Sequence, residues 1–276
     1  MSGYWMNEIN TDGYRVQWKI NNILHTETTD YQQLSIVDTV EWGKALVLDG
    51  ALQVSEKDEF IYNEMITHIA MHSHPQPEKI LIIGGGDGGA LREVVKHKCV
   101  KSVDMVEIDG RVIENCKKYL PSIACAFDDP RLNLYLEDGI KFVANSKEKY
   151  DVVIIDSSDP VGPAVQLYSK GFYENVFKVL ASDGMMVAQS ESPIFYQDIF
   201  VSVFESLSTI FAQTYVYLAT VPTYVSGPWS FTIGSKKYSP LKIIDDRETI
   251  NGLKYYNAGI HKGAFNLPQY VKELLG

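Results

Sequence analysis

The sequence predicts an α/β protein in which a doubly wound, mostly parallel sheet follows a small antiparallel β-domain. Three observations carry this. The apolar run Ile80–Ile83 empties into the turn Gly84-Gly-Gly-Asp-Gly-Gly89, apolar runs then alternate with helix-length stretches to about Ile210, and the first fifty-odd residues hold only short alternating runs. A chain of 276 residues buries a full core and fits one large domain plus an appendage, here residues 57–276 and 1–56.

In the appendage, Tyr14–Ile20, Leu34–Thr39 and Lys44–Leu48 read as strands, and Asp49-Gly50 marks a hairpin turn before Ala51–Val54. Asp58 opens a helix to about Met71, with Phe60, Ile61, Met65, Ile66 and Ile69 at helical spacing. The larger domain then alternates. Strands Lys79–Ile83, Ser102–Glu107, Leu132–Glu137, Val152–Asp156 and Met185–Gln189 are followed by helices from about Gly89, Arg111, Gly139, Ser169 and Pro193. Thr214–Ala219 and Trp229–Ser235 are rich in β-branched and aromatic residues and have no comparable helix between them, so they predict an antiparallel closing pair. A short amphipathic piece, about Leu267–Leu274, packs last.

Charge and cysteine content narrow the function classes. Thirty-five acidic against 25 basic residues give a net charge of -10, which argues against a nucleic-acid partner and suits a cationic small ligand. Cys99, Cys116 and Cys125 form no C-x-x-C pair, which predicts reduced structural thiols and no thiolate metal site. No apolar run reaches membrane-spanning length and the N-terminus does not read as a signal peptide, so the expectation is a cytoplasmic protein with no membrane partner.

Ligands of doubly wound sheets sit beyond the carboxyl ends of the strands, and this chain places an acid at nearly every one. Asp87 lies in the glycine turn, Glu107 ends the second strand, Asp138 follows the third, and Asp156 ends the fourth with Asp159 in the same loop. Glu107 stands 20 residues beyond Asp87, the spacing at which a carboxylate accepts both ribose hydroxyls of a nucleoside; Asp138-Gly139 could reach an adenine amino group. Asp87 in the turn repels phosphate and attracts a cation. The loop Asp156-Ser157-Ser158-Asp159-Pro160 brings two carboxylates near one ligand, a divalent metal or a polyamine, and the segment has no further clustered ligand for a metal. An amine nucleophile with a pKa of about 10 must lose a proton before attack, and Asp156, at the strand end, is the better placed base. Tyr224 and Trp229 could wall a slot for methylenes, and Tyr62-Asn63 on the preceding helix could join them. His68 and His72 share a helical face, with His74 close by in sequence, but the H-E-x-x-H pattern is missing and the expectation is no metal.

Taken together, Gly84–Gly89, Glu107-Ile-Asp109, Asp138-Gly139, Asp156–Pro160 and Pro222-Thr-Tyr224 resemble the ordered signatures of the spermidine synthases, the polyamine aminopropyltransferases. The likeness spans nearly the whole chain, including Leu48-Asp-Gly50, Lys57-Asp-Glu-Phe60 and Lys254-Tyr-Tyr256 with His261. It implies a Rossmann-like sheet of the S-adenosylmethionine-methyltransferase type. It also implies transfer of a 3-aminopropyl group from decarboxylated S-adenosylmethionine to putrescine, giving spermidine and 5'-methylthioadenosine without a metal or other cofactor. Carried over motif by motif, Gln32, Glu107, Asp138, Gly139 and Pro163 would hold the nucleoside and Asp87 the donor's amine. Asp156 would accept the proton, and Tyr62, Asn63, Ser157, Ser158, Asp159, Tyr224 and Trp229 would surround the polyamine. Asn63 stands where relatives commonly carry His or Gln, and Val225 where a second proline is usual, so the resemblance leaves acceptor length open. It further implies a homodimer or homotetramer built through the N-terminal β-domain.

Two rivals remain at the level of sequence. A methyltransferase would use the same sheet and Glu107, but Asp87 stands where its donor's carboxylate would be received. A noncatalytic polyamine-binding protein would need the acids and aromatics without a base at Asp156.

Overall fold

The computed structural model describes residues 4–160, 162–225, 227–244 and 250–276, the side chains of Gly162 and Pro163 excepted. A five-stranded antiparallel meander comes first: β1 (Tyr4–Thr11), β2 (Tyr14–Thr28), β3 (Gln33–Thr39), β4 (Gly43–Leu48) and β5 (Ala51–Ser55), in that spatial order. Helix α1 (Glu59–Ser73) leads into a seven-stranded sheet of order β11-β12-β10-β9-β6-β7-β8. Its strands are β6 (Lys79–Gly84), β7 (Ser102–Glu107), β8 (Leu132–Leu136), β9 (Tyr150–Asp156), β10 (Leu180–Gln189), β11 (Gln213–Ala219) and β12 (Trp229–Ser235). Strands β10, β9, β6, β7 and β8 run parallel, while β12 lies antiparallel to both β10 and β11. The doubly wound sheet and its antiparallel closing pair are as the sequence predicts.

Helices α2 (Gly89–Val95), α3 (Gly110–Tyr119), α4 (Gly139–Asn145), α5 (Lys170–Val179) and α6 (Gln197–Ile210) make the crossovers, and α7 (Ala258–Ala264) and α8 (Gln269–Leu275) close the chain. One apolar layer joins α1, α2 and one sheet face, with Met65, Ile66, Ile69, Ile80, Ile82, Leu91 and Ile154 fully buried. The other face packs Leu81, Val153 and Met186 against α5 and α6 through Phe172, Val176, Val203 and Leu207. Among the described residues no helix is long and apolar enough to cross a membrane.

Three elements depart from the sequence reading. β1 was not expected, and β2 runs to Thr28 instead of ending near Ile20. Both strands leave apolar side chains in solvent, Tyr4 at 75%, Ile9 at 73% and Ile23 at 62% exposure, and β2 interrupts its alternation with Asn21-Asn22. Trp18 and Ile20 are buried, but beyond Ile20 no apolar side chain of β2 is, and the period-two signal is lost there. α7 was also missed, since Ala-Gly-Ile-His-Lys-Gly-Ala has two helix-weakening glycines; Asn257 starts it by accepting the amides of Gly259 and Ile260.

Helix α1 is buried nearly all round, so its polar residues must find partners. Glu64 accepts three successive backbone amides of the C-terminal arm, Lys254, Tyr255 and Tyr256, at 2.8, 2.9 and 2.7 Å. Arg92 of α2 forms a two-pronged ion pair with Glu59 and also reaches Glu93.

Candidate active site

The sheet reverses its winding between β6 and β9, the switch point at which such sheets take ligands. Gly84 pairs with Asp156, and the Gly85 amide donates to the Asp156 carbonyl at 2.8 Å, so the glycine turn and the strand-end acid are locked side by side. The turn tolerates no side chain at that seam. Gly84 and Gly85 hold φ of 82° and 72°; a Cβ on Gly84 would strike the Asp156 carbonyl, and one on Gly85 would lie 2.8 Å from Asp156 Oδ2.

Asp156 is buried. Its Oδ1 accepts the Tyr62 hydroxyl at 2.7 Å, and Oδ2 has no hydrogen-bond partner. Burial pushes its carboxyl up to about 6, against the Tyr62 bond and with help from the Glu107 charge. Asp87 accepts the Gly89 amide at 2.6 Å. Burial and the neighbouring Asp156 charge raise it to about 8, the Gly89 bond opposing them. Tyr62 is pushed well above its usual range by burial and by Asp156, so it remains a proton donor.

On the β7 side, Glu107 accepts the Asp109 amide at 2.9 Å and lies so close to Gly86 that a Cβ there would stand 2.9 Å from its Oε2. Burial raises it to about 7. Gln32 crosses from the N-terminal sheet to donate to Asp109 at 2.9 Å. Asp138 caps α4 by accepting the Ile140 amide at 2.8 Å, and Gly139 packs on Ile83. Pro163 falls in the 3-10 turn Gly162–Tyr168, but its side chain lies outside the described residues. Asp87, Glu107 and Asp138 therefore line the carboxyl ends of adjacent strands, as the sequence places them.

The residues that the resemblance assigns to the amine gather on the other side of Tyr62. A pocket beside Asp87 is lined by Asp58, Glu59, Tyr62, Asn63, Thr223 and Tyr224, and a second by Glu8, Ser157, Asp159, Gln189, Tyr224 and Trp229. Tyr62 and Tyr224 belong to both. Among the described residues neither lining includes a lysine or arginine. Tyr224 meets Trp229 edge-on at 4.8 Å and gives its hydroxyl to the Gln53 carbonyl, so it serves as a wall whose polar end is already used. Asn63 is pressed against Gly89 and donates to Glu59 at 2.9 Å, leaving its Oδ1 without a partner. Ser157 lines the second pocket, and Ser158 is exposed.

Sequence reasoning missed Glu8 and Gln189 in the lining of this second pocket, and Glu191 beside Asp159. Glu191, one turn of chain beyond β10, is fully buried with φ of 66°, and its Oε2 has no partner. Its Oε1 takes Gln189 at 3.2 Å and Tyr168 at 3.3 Å. Burial, then the Asp159 charge, pushes the Glu191 carboxyl well up, and burial raises Asp159 too. Glu8, held by the Trp18 indole at 2.6 Å, enters from β1. The strand-end rule applied to β10 would have found Gln189 and Glu191; Glu8 was hidden because β1 was. Of the three histidines considered for a metal, His68 and His72 do meet, with His97 as the third member, while His74 turns away toward Asp183.

Fold and pocket define a class first: a nucleoside-dependent transferase with an acid-lined acceptor site. The chain belongs to the spermine/spermidine synthase family, whose domain model matches residues 59–243, while residues 4–56 match a spermidine synthase tetramerisation domain. A polyamine aminopropyltransferase of Bacillus subtilis is 48% identical over 275 residues, covering all of both chains, and one of Desulforudis audaxviator is 45% identical over 98% of each. A crystal structure of a spermidine synthase in complex with the transition state analogue AdoDATO superposes with a TM-score of 0.94 at 39% identity, covering 99% of this chain and 94% of the other. The Thermotoga maritima spermidine synthase gives 0.91 at 38% identity over the same shares.

Proposed function

We propose that the chain transfers the 3-aminopropyl group of decarboxylated S-adenosylmethionine to putrescine, giving spermidine and 5'-methylthioadenosine. The observation that carries this reading is the seam between Asp156 and the glycine turn, where a buried carboxylate with one unpartnered oxygen stands beside Asp87, and Asp87 and the Asp156 partner Tyr62 line a pocket of acids and aromatics.

Glu107 holds the ribose, Asp138 and Gly139 border the adenine, with Gln32 and Pro163 at the nucleoside's edge, and Asp87 pairs with the donor's free ammonium. Putrescine threads past Tyr62, Asn63, Ser157, Tyr224 and Trp229, its far ammonium among Asp159, Glu191 and Glu8. Asp156 takes a proton from the near ammonium while Tyr62 fixes the carboxylate's orientation. The freed nitrogen lone pair forms a bond to the aminopropyl carbon attached to sulfur; the C–S bond breaks, and its electron pair neutralises the sulfonium. Because the leaving group is already cationic, alignment and one deprotonation suffice, and no metal or other cofactor is called for. The N-terminal sheet, with Tyr4, Trp5, Ile9 and Ile23 exposed, is the surface for a homodimer or homotetramer. Three free cysteines suit the reducing cytoplasm.

Incubation with decarboxylated donor and putrescine, followed by mass spectrometry, tests the reading. The expected products are methylthioadenosine and an acceptor heavier by one aminopropyl group. Gain of a methyl group from intact S-adenosylmethionine would make the chain a methyltransferase, and binding without turnover would make it a polyamine-binding protein. Light scattering across a concentration series tests the oligomer; a monomer throughout would remove the assembly role of the N-terminal sheet.

A further inference from the structure

Helix α1 carries a second cluster of functional side chains that aminopropyl transfer does not use. His68 and His72 lie one helical turn apart on the face toward α2, and His97 follows the end of α2, its amide bonded to the Val94 carbonyl at 3.1 Å. We propose that His68, His72 and His97 form a three-imidazole site for a divalent transition ion of the zinc, cobalt or nickel class, a structural clamp between α1 and α2. The site begins six residues along α1 from Tyr62, about 9 Å of helix rise.

Three observations support it. One ring nitrogen from each histidine lies within 4.8 Å of the other two, and His68 Nδ1 and His97 Nε2 are 2.9 Å apart. A tetrahedral ion with bonds of about 2.0–2.1 Å needs nitrogens about 3.3 Å apart, so the near pair has to open slightly and His72 to swing inward. Second, the remaining nitrogen of His68 points at Glu93 Oε2, 3.0 Å away, and both side chains are fully buried. A carboxylate behind a ligating imidazole is the usual support of such centres, because it fixes the tautomer that offers the other nitrogen's lone pair. Third, the three rings are buried, exposed by 0, 9 and 4%, and Tyr256 stacks on His72 at 5.1 Å while its hydroxyl meets His261 Nδ1 at 2.7 Å. A closed wall of this kind marks a structural site, not one that turns over substrate.

Entry of the ion asks for one rearrangement. With His68 donating from Nε2 to Glu93, the bond to His97 runs from His97 Nε2–H to His68 Nδ1; ligation moves the His97 proton to Nδ1, so that both facing nitrogens present lone pairs. No proton is lost overall.

The test uses the full chain, stripped with a chelator and titrated with zinc or cobalt chloride. Uptake of one equivalent is expected, with a raised unfolding temperature and, for cobalt, the visible absorption of a tetrahedral centre. His72→Phe, which keeps a ring on Tyr256, and His97→Gln should each weaken binding by about tenfold or more, as loss of a ligand requires. His25→Gln, in the N-terminal sheet, and Asp156→Asn should not. No uptake by the wild type, uptake that survives both histidine variants, or uptake abolished by Asp156→Asn would each overturn the proposal. Should both histidine variants fail to fold, X-ray absorption of the cobalt-loaded wild type decides: three imidazole nitrogens support the site, and oxygen ligation alone removes it.

Discussion

The two halves of the active site treat their carboxylates differently. On the donor side each acid is tied to a backbone amide: Glu107 to Asp109, Asp138 to Ile140 and Asp87 to Gly89. On the acceptor side, Asp156 Oδ2 and Glu191 Oε2 are buried with no partner, and the Asn63 amide oxygen stands equally alone. Backbone amides hold an acid in one orientation, which suits the directed hydrogen bonds of a ribose. An unsatisfied buried oxygen waits for a positive charge. Under the proposed function, a flexible, doubly charged amine would meet the two open carboxylate oxygens, while Asp58 and Glu8 in the same pockets accept the amides of Thr223 and Leu52.

The largest expected break in this contrast is Asp156→Asn, which keeps the shape and removes the base. Turnover in a single-turnover assay should fall by on the order of 10²–10⁴, while affinity for methylthioadenosine stays near wild type. Normal turnover in the folded variant would take Asp156 out of its role.

Asp87 borders both halves, bound to the Gly89 amide and lining the pocket beside Tyr62, where the proposed function puts the donor's ammonium. It should favour the decarboxylated donor over intact S-adenosylmethionine, whose carboxylate it repels. Asp87→Asn is expected to compress the ratio of the two dissociation constants by roughly tenfold to a few hundredfold, measured at fixed salt. An unchanged ratio would leave shape as the discriminator.

A matched pair separates the halves. Glu107→Gln should weaken decarboxylated donor and methylthioadenosine alike by about tenfold, and Glu191→Gln should raise the KM for putrescine by a similar factor without touching the nucleoside. Calorimetry and steady-state kinetics read the two, and equal effects of both variants on both ligands would erase the distinction.

The smallest effect is on stability. Asp87, Asp156 and Glu107 have folded values of about 8, 6 and 7, all above their unfolded values, so the native state holds more protons. Their contribution is fully present below about pH 4 and is lost as pH rises through those folded values. Melting of the unliganded chain should therefore drop by a few degrees between pH 6 and 8, and saturating putrescine should flatten that drop. An identical slope with and without the diamine would show that these acids do not meet it.

The donor half was legible in the sequence because its signals are local. A strand, a glycine turn and an acid at fixed spacing are written within about thirty residues, and Asp87, Glu107 and Asp138 stand where strand ends put them, as Asp156 does on the acceptor side. The acceptor half is assembled from distant pieces. Glu8 comes from a strand whose exposed tyrosine and tryptophan conceal its period, and Glu191 neighbours Asp159 from a left-handed backbone that nothing in the string Gln-Ser-Glu-Ser announces. His97 illustrates the same limit: helical spacing links His68 to His72, but nothing local announces a partner 29 residues on.

The bonds from Glu64 to the C-terminal arm bear on the order in which the chain folds. They join residues 190 to 192 positions apart, so they close a very long loop. Such closure is entropically costly and becomes favourable only once the intervening sheet has brought its ends together. The arm therefore docks late, onto a helix already in place, and a chain cut before Lys254 would strand a buried carboxylate that three amides normally satisfy. Synthesis from the N-terminus delivers these events in the same sequence: the helix emerges with its acid well before the residues that cover it.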